Sequence, residues 1–344
     1  MSKEHEVYID IPNDEVVSDA EESIKKSFNL PVSKVSAIAQ GYLRFISEVN
    51  DEDDEDARAS LYSLMDRFLE QTEQAGDADD YHNFAVALAR KDEYVLACKV
   101  IECGLSLFPK NVDLIADYLQ YGTNCNRIEE CKRLYKTLLK IPRRRWTWRG
   151  FAFLIDYIKY LIERTDSEKE IDTREQEMIA VVTEFRQYYP YSEETYRVEA
   201  DAYKCLNMQE QELNALKTAL DVLDVAPKCA LRCADILFER GRYEEASTAI
   251  KRCISDATQT QSSVNEGYIY YLSALCALAG SQKANKQLSE DEVLNIYSDF
   301  NIALMGLRDS SYSAVIKTKT NTLVNKSGID VPSEYDHLCD CIAE

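Results

Sequence analysis

One stretch combines five positive charges with both tryptophans of the chain: KIPRRRWTWRGF, residues 140–151. Arginine grips carboxylates and phosphates through paired hydrogen bonds, and tryptophan offers a flat face for stacking or for a cation. The alternative is structural, with Trp148 as a core aromatic and the arginines paired with acidic helices nearby or with the acidic amino-terminal segment. We predict that the stretch contacts a partner, through Arg143, Arg144, Arg145, Trp146 and Arg149, together with Phe153 just after it.

The rest of the chain is acidic, with a formal net charge of −21. Residues 1–80 hold 21 Asp and Glu against 7 Lys and Arg. Such a field opposes nonspecific binding to nucleic acid and to anionic membranes. The field itself would attract a basic partner, whereas the basic stretch would suit a protein or peptide partner that carries an acidic segment. Nucleic-acid binding through Arg143–Arg149, by charge and base stacking, stays open as an alternative that the net charge disfavours.

Motifs that carry catalysis are absent from the sequence. It has no GxxxxGK[ST] phosphate loop, no GxSxG elbow and no HExxH pair. Cys–His chemistry on a helix would have to bring His82 near Cys98 or Cys125, and a half-buried histidine without a catalytic role is the simpler interpretation. We expect a non-enzymatic protein with no catalytic residue and no cofactor.

The cysteines do not form a metal-binding pattern. The chain has 11 of them and no CxxC pair. Cys229 and Cys233 lie one helical turn apart, and His337, Cys339 and Cys341 lie close together, but neither group has a full set of four ligands. We expect no metal site and expect reduced thiols packed as small apolar groups.

Composition favours helices throughout. The 344 residues include only 10 Gly and 7 Pro, and few segments alternate apolar with polar residues. No segment reaches the roughly 18 uninterrupted apolar residues of a membrane span. The charged start, MSKEHEVYID, lacks the apolar region of a secretory signal. These features predict an all-α, cytoplasmic protein that does not enter a membrane.

Small residues recur at fixed spacing in two distant parts of the chain. In each part, three small residues are spaced by twelve and then by seven positions. The first set is Ala85, Ala97 and Gly104, and the second is Ala234, Ala246 and Cys253. Two helices packed 8–10 Å apart need little side-chain volume where they touch. The spacing therefore predicts pairs of antiparallel helices.

This pattern resembles the tetratricopeptide repeat, a helix–turn–helix unit of 34 residues. The matching positions are Ala85, Ala97, Gly104, Pro109, Ala152, Ala200, Ala234, Gly241 and Ala246. At Gly241 the left-handed backbone that ends a first helix costs little, because glycine has no Cβ. The resemblance implies an all-α, right-handed superhelical solenoid, with about six helix pairs over residues 78–309.

The two ends of the chain differ from the repeats. Residues 1–77 read as an acidic, partly disordered region with two helices, at 33–48 and 57–74. Residues 310–344 are expected to form capping helices, at 311–325 and 333–343, because the last pair needs a polar exterior. Within the repeats, the charged residues 163–177 extend one pair or its loop.

The resemblance also implies a concave groove, lined by the first helix of each pair, that holds a peptide or protein segment. Besides the basic stretch, the groove positions that carry polar contacts would be His82, Gln120, Asn124, Arg197, Lys204 and Lys228. Chaperone-binding relatives need Lys or Asn where this chain has His82, Ala116 and Gln120, so that role is disfavoured.

The sequence therefore predicts a scaffold or adaptor that binds a protein segment. The runner-up is a peptide-sensing regulator, because some bacterial receptors of this type join an amino-terminal helical region to such repeats. The oligomeric state stays open.

Overall fold

A computed structural model describes residues 77–90, 92–260, 264–308 and 310–327, without the side chains of 326 and 327. The helices predicted at 33–48, 57–74 and 333–343 lie outside these residues. Across the described ranges the chain forms α-helices and one short 3₁₀ turn, and no strand. The prediction of an all-α chain is confirmed.

Contacts divide the chain into two compact units, residues 1–188 and 189–344. The described helices of the first unit are α1 (Ala78–Ala89), α2 (Tyr94–Leu107), α3 (Val112–Asn124), α4 (Ile128–Leu138), α5 (Trp148–Ile162) and α6 (Glu168–Tyr188). Those of the second unit are α7 (Glu193–Cys205), α8 (Gln209–Val222), α9 (Pro227–Glu239), α10 (Tyr243–Thr260), α11 (Glu266–Lys283), α12 (Glu290–Gly306) and α13 (Tyr312–Ser327).

The first unit is a stack of three helix pairs, α1–α2, α3–α4 and α5–α6. The first helices of successive pairs also contact each other directly, α1 against α3 and α3 against α5. These three helices therefore lie side by side and present one continuous face, which we call the first-helix face. Residues 168–177 of α6 belong to the charged extension predicted at 163–177.

The second unit repeats the arrangement with α7–α8, α9–α10 and α11–α12, and α13 packs on α12.

The side chains of Asp256 and Arg252 form a clamp that fixes the loop before α9. The carboxylate of Asp256, which is 2% exposed, accepts the backbone N–H of Ala226 at 2.8 Å and the Nε–H of Arg252 at 2.8 Å. Arg252 also donates from Nη2 to the carbonyl of Leu223 at 2.8 Å.

Small side chains lie where paired helices touch. Ala85, Ala97, Ala234 and Ala246 are fully buried. At Gly104 an added Cβ would lie 2.9 Å from the Cβ of Tyr81, closer than carbon atoms pack. The repeated small residues thus set the distance between the helices of a pair.

One backbone device closes five of the six turns inside the described pairs. A residue with positive φ follows the first helix each time, and the next N–H bonds a carbonyl five residues back, as Arg242 N does to Leu237 O at 2.9 Å. These residues are Asp92 (φ 60°), Asn126 (60°), Asn207 (56°), Gly241 (67°) and Asn285 (48°). This is the Schellman ending of a helix, which glycine and asparagine accept with least strain.

Candidate partner-binding site

Three neighbouring helices bring His82, Asp117 and Arg149 together on the first-helix face. His82 on α1 hydrogen-bonds through Nδ1 to the carboxylate of Asp117 on α3. Arg149, in the first turn of α5, hydrogen-bonds to Nε2 of the same imidazole. One chain of side-chain contacts therefore links all three pairs of the first unit.

A single tautomer of His82 satisfies both contacts. With the proton on Nδ1, the ring donates to Asp117 and its Nε2 accepts from the guanidinium. Asp117 is fully buried, and its second oxygen, Oδ1, has no hydrogen-bond partner among the described residues. Burial raises the pKa of Asp117 above its ordinary value, while the His82 hydrogen bond and the charge of Arg149 act in the opposite direction.

The start of α5 is held close to α3. Thr147 caps α5, accepting the N–H of Gly150 at 3.2 Å, and its hydroxyl donates to the carboxylate of Asp113 on α3. A Cβ on Gly150 would lie 2.4 Å from Cγ1 of Val112. Glycine is thus needed here for the approach of the two helices, and the approach positions Arg149.

The two tryptophans have opposite environments. Trp146 is 3% exposed, and its indole N–H donates to the carbonyl of Ile141 at 3.0 Å. The prediction that Trp146 contacts a partner is therefore wrong, because its ring packs inside the first unit beside Phe151, with centroids 5.1 Å apart. Trp148 is 39% exposed, so the alternative that placed it in the core is also wrong.

The arginines divide in the same way. Arg143 donates to Glu184 at 2.7 Å, and its guanidinium lies 3.8 Å from the centroid of the Trp146 ring. It therefore has the structural role that the alternative gave to the whole stretch. Arg144 and Arg145 are exposed, and no carboxylate among the described residues pairs with them.

Arg144, Arg145, Trp148 and Arg149 form what we call the basic corner. The guanidinium of Arg149 lies 5.4 Å from the centroid of the Trp148 ring, within the range of a cation–π interaction. In the corner, Arg144 and Arg145 are cations with no carboxylate partner among the described residues. Trp148 adds an exposed indole. Arg149 is a third cation, held in place by His82 and Asp117. An anionic, partly apolar ligand matches these groups.

The other predicted contact residues are distributed over both units. In the first, Phe153 is half-buried, and Asn124 donates to the main-chain carbonyl of Gln120 at 3.1 Å. In the second, Arg197 pairs with Glu194 at 2.7 Å. Lys204 and Lys228 are exposed. None of these second-unit residues belongs to the basic corner.

A separate depression of about 600 Å³ lies at the turn between α3 and α4. Its charged groups are already paired: Arg127 donates to Oε1 of Glu102 at 2.5 Å, Glu129 pairs with Lys132, and Glu130 pairs with Arg133. The Tyr118 hydroxyl also donates to Oε1 of Glu102, at 2.7 Å. Paired charges leave little to attract a ligand.

Within the described ranges no cluster of His, Cys, Asp and Glu could hold a metal ion. None of the described helices is long and apolar enough to cross a membrane.

Asp117 is the residue that the sequence prediction missed. It lies one turn after Leu114 and one turn before Tyr121, both buried, so helical spacing already places it on the apolar side of α3. A lone carboxylate at such a position requires a partner. That signal could have indicated that Asp117 has a buried partner.

Comparison with known proteins gives similarity of structure only. No protein-family model matches the chain, and no curated protein matches it. Among solved structures, it is similar to the C-terminal part of a TPR repeat-containing protein from Cytophaga hutchinsonii (TM-score 0.46, 11% identity, covering 82% of this chain and 98% of that one). It is also similar to TTC0263, a TPR protein of Thermus thermophilus (TM-score 0.42, 17% identity, covering 59% and 98%).

A further similar structure is the APC/C hetero-tetramer Cut9–Hcn1, at a TM-score of 0.44 and 9% identity. The match covers 88% of this chain and 59% of that one. The architecture itself follows from this chain's own geometry: stacked antiparallel helix pairs, small residues buried at the contacts, and Schellman turns. The described part of the chain is an all-α repeat protein made of stacked antiparallel helix pairs.

Proposed function

We propose that the protein is a non-enzymatic scaffold that binds an acidic segment of a partner protein at the basic corner. The observation that carries the proposal is a pair of exposed arginines, Arg144 and Arg145, which no described carboxylate pairs with, beside the exposed Trp148. Arginine and tryptophan are enriched among residues that dominate protein interfaces.

Charge identifies the class of partner. The whole chain carries a net charge of −21, which repels anions in general. The exposed positive charge of the basic corner attracts an anionic ligand to this one place. A carboxylate-rich segment offers paired acceptors for each guanidinium fork. Trp148, at 39% exposure, adds an apolar surface for one side chain within that segment.

Rigidity supports binding at this place. Arg149 is hydrogen-bonded to His82, and His82 to the buried carboxylate of Asp117. A side chain already fixed loses less conformational freedom when a ligand binds. The first-helix face beside the corner gives an extended segment a surface along which to continue.

A titration of the full chain with a fluorescein-labelled oligoglutamate peptide, followed by anisotropy, tests the proposal. Arg144→Glu with Arg145→Glu should weaken binding at least about tenfold, because attraction becomes repulsion at both positions. The matched control is Lys169→Glu with Lys251→Glu, which makes the same charge change on exposed residues of α6 and α10. The control should stay within about twofold of the parent protein.

Equal weakening by both double variants would show a general field effect and contradict a site at the corner. Tighter binding of single-stranded DNA than of the peptide, lost with the same arginines, would favour the nucleic-acid alternative instead. Higher affinity after deletion of residues 1–76 would show that this chain's own acidic segment opposes binding of the peptide.

A further inference from the structure

Two thiols from different helix pairs face each other in the first unit. The Sγ atoms of Cys98, on α2, and Cys125, which caps the end of α3, are 3.6 Å apart. The two residues are 27 positions apart along the chain. Both are reduced in the structure. The contact therefore spans the joint between the first and the second pair.

The local backbone allows the two sulfurs to approach. A disulfide has a bond of about 2.05 Å, so the atoms need to move together by roughly 1.5 Å. Cys98 is fixed inside α2, but Cys125 (φ −104°, ψ 19°) lies at the turn that contains Asn126, outside regular helix. The turn can supply this movement without unwinding α2.

The two thiols differ in access. Cys98 is fully buried, and burial raises its pKa, against which the charge of Arg127 acts. Cys125 is partly exposed, so an oxidant in solution reaches it first. The third thiol nearby, Cys131, is fully buried, has a pKa raised to about 12 by burial, and donates to the carbonyl of Tyr118.

We propose that Cys98 and Cys125 form a disulfide when the protein meets a hydroperoxide. The thiolate of Cys125 attacks one peroxide oxygen, giving a sulfenic acid and, for hydrogen peroxide, releasing hydroxide that is protonated to water. Cys98 then loses its proton and attacks the Cys125 sulfur, and the sulfenic oxygen leaves as a second water. Overall, two thiols are oxidised by two electrons, and one peroxide is reduced to two waters.

The bond would join two helix pairs that also meet at the candidate site. His82 lies on α1 and Asp117 on α3, across the same joint that the disulfide would lock. Oxidation should therefore fix the relative position of the first two helix pairs and raise the melting temperature, by about 5 °C or more for a loop of this length. The inference does not depend on the identity of the partner.

Tryptic mapping tests the proposal directly, because the chain isolates each thiol. Cleavage gives residues 92–99 with Cys98 alone, 111–127 with Cys125 alone, and 128–132 with Cys131 alone. The native full-length protein is treated with hydrogen peroxide, the remaining thiols are alkylated, and the digest is analysed without reductant. We expect residues 92–99 joined to 111–127 and lighter by two hydrogens, with separation after reduction.

Matched variants make the result specific. Cys125→Ser should abolish this cross-link and leave Cys98 open to alkylation after unfolding. Cys103 lies on α2, as Cys98 does, and Cys103→Ser should leave the cross-link unchanged. Fully alkylated Cys98 and Cys125 after peroxide treatment would overturn the proposal. So would conversion of Cys125 to sulfinic acid without a cross-link, or pairing of Cys125 with Cys131.

Discussion

The imidazole of His82 hydrogen-bonds to the buried carboxylate of Asp117, joining the first helices of two successive pairs. Arg149 extends this link to the third pair. A buried carboxylate is costly unless it is hydrogen-bonded or lies near an opposite charge, and here the imidazole donates the hydrogen bond and the guanidinium supplies the charge. The same contacts hold Arg149 at the edge of the basic corner, so they connect the stability of the first unit with its candidate binding surface.

The first prediction concerns the pH dependence of stability in Asp117→Asn. Because burial raises the pKa of Asp117 in the folded state, the folded protein holds this proton to a higher pH than the unfolded chain, whose ordinary value is 3.8. The contribution of Asp117 to stability therefore falls as pH rises from 3.8 through the folded pKa, and stays constant above it. Asp117→Asn removes this dependence and keeps an oxygen to accept from His82.

Urea unfolding of the two proteins at acidic and neutral pH measures this effect. Relative to the parent protein, Asp117→Asn should gain stability as pH rises through that window, by about 1.4 kcal/mol for each unit of pKa difference. Asp79→Asn, at an exposed position of α1, is the control and should show little change. A relative loss for Asp117→Asn with rising pH would contradict the assigned direction.

The second prediction compares two substitutions at Gly241. A Cβ there meets no atom closer than 3.8 Å, so its cost comes from the positive φ of 67° alone. Gly241→Ala should lose about 1 kcal/mol of unfolding free energy. Gly241→Asn should lose less, since asparagine holds this conformation at three equivalent turns of this chain. Chemical denaturation distinguishes the two, and an equal or greater loss for asparagine would refute the backbone explanation.

The third prediction uses two helical glycines with opposite surroundings. Gly150→Ala places a Cβ 2.4 Å from Cγ1 of Val112 and should cost about 1–3 kcal/mol by forcing α5 away from α3. At Gly280 a Cβ would lie 3.5 Å from that of Tyr243, an ordinary contact, so Gly280→Ala should gain about 0.5–1 kcal/mol from helix propensity. Thermal melts followed by circular dichroism measure both, and a neutral Gly150→Ala would show that the close approach is not required.

The fourth prediction concerns the clamp in the second unit. Asp256→Ala leaves the N–H of Ala226 and part of the Arg252 guanidinium without a buried acceptor, and should cost about 3 kcal/mol. Asp221→Ala, at an exposed position near the end of α8, should change stability by no more than about 0.5 kcal/mol. Similar losses for the two variants, measured in urea, would mean that the clamp has no special role.

Features that depend on helical spacing could be predicted from the sequence. The all-α chain of stacked helix pairs is confirmed in the described residues, because small residues at fixed intervals determine where helices touch. Of the turns inside the helix pairs, only the one at Gly241 could be predicted from the sequence. Asp92, Asn126, Asn207 and Asn285 adopt the same left-handed backbone, but their residue types are common in many other local structures.

The site was harder to predict because burial within one turn of helix depends on tertiary contacts. Trp146 and Trp148 are two residues apart, and the sequence alone does not decide which one faces the core. Arg143 differs from Arg144 through Glu184, which lies 41 positions away, and through the Trp146 ring beside its guanidinium. The link between His82 and Asp117 likewise joins residues from separate repeats, which no local pattern reports.

Hydrogen exchange of the full chain, with and without the oligoglutamate peptide, tests the central claim most directly. We predict that slowed exchange is confined to residues 140–153 and the adjoining parts of α1 and α3, and that it disappears in the Arg144→Glu, Arg145→Glu variant. Protection confined to the second unit, or protection around the basic corner that survives the arginine substitutions, would contradict the account.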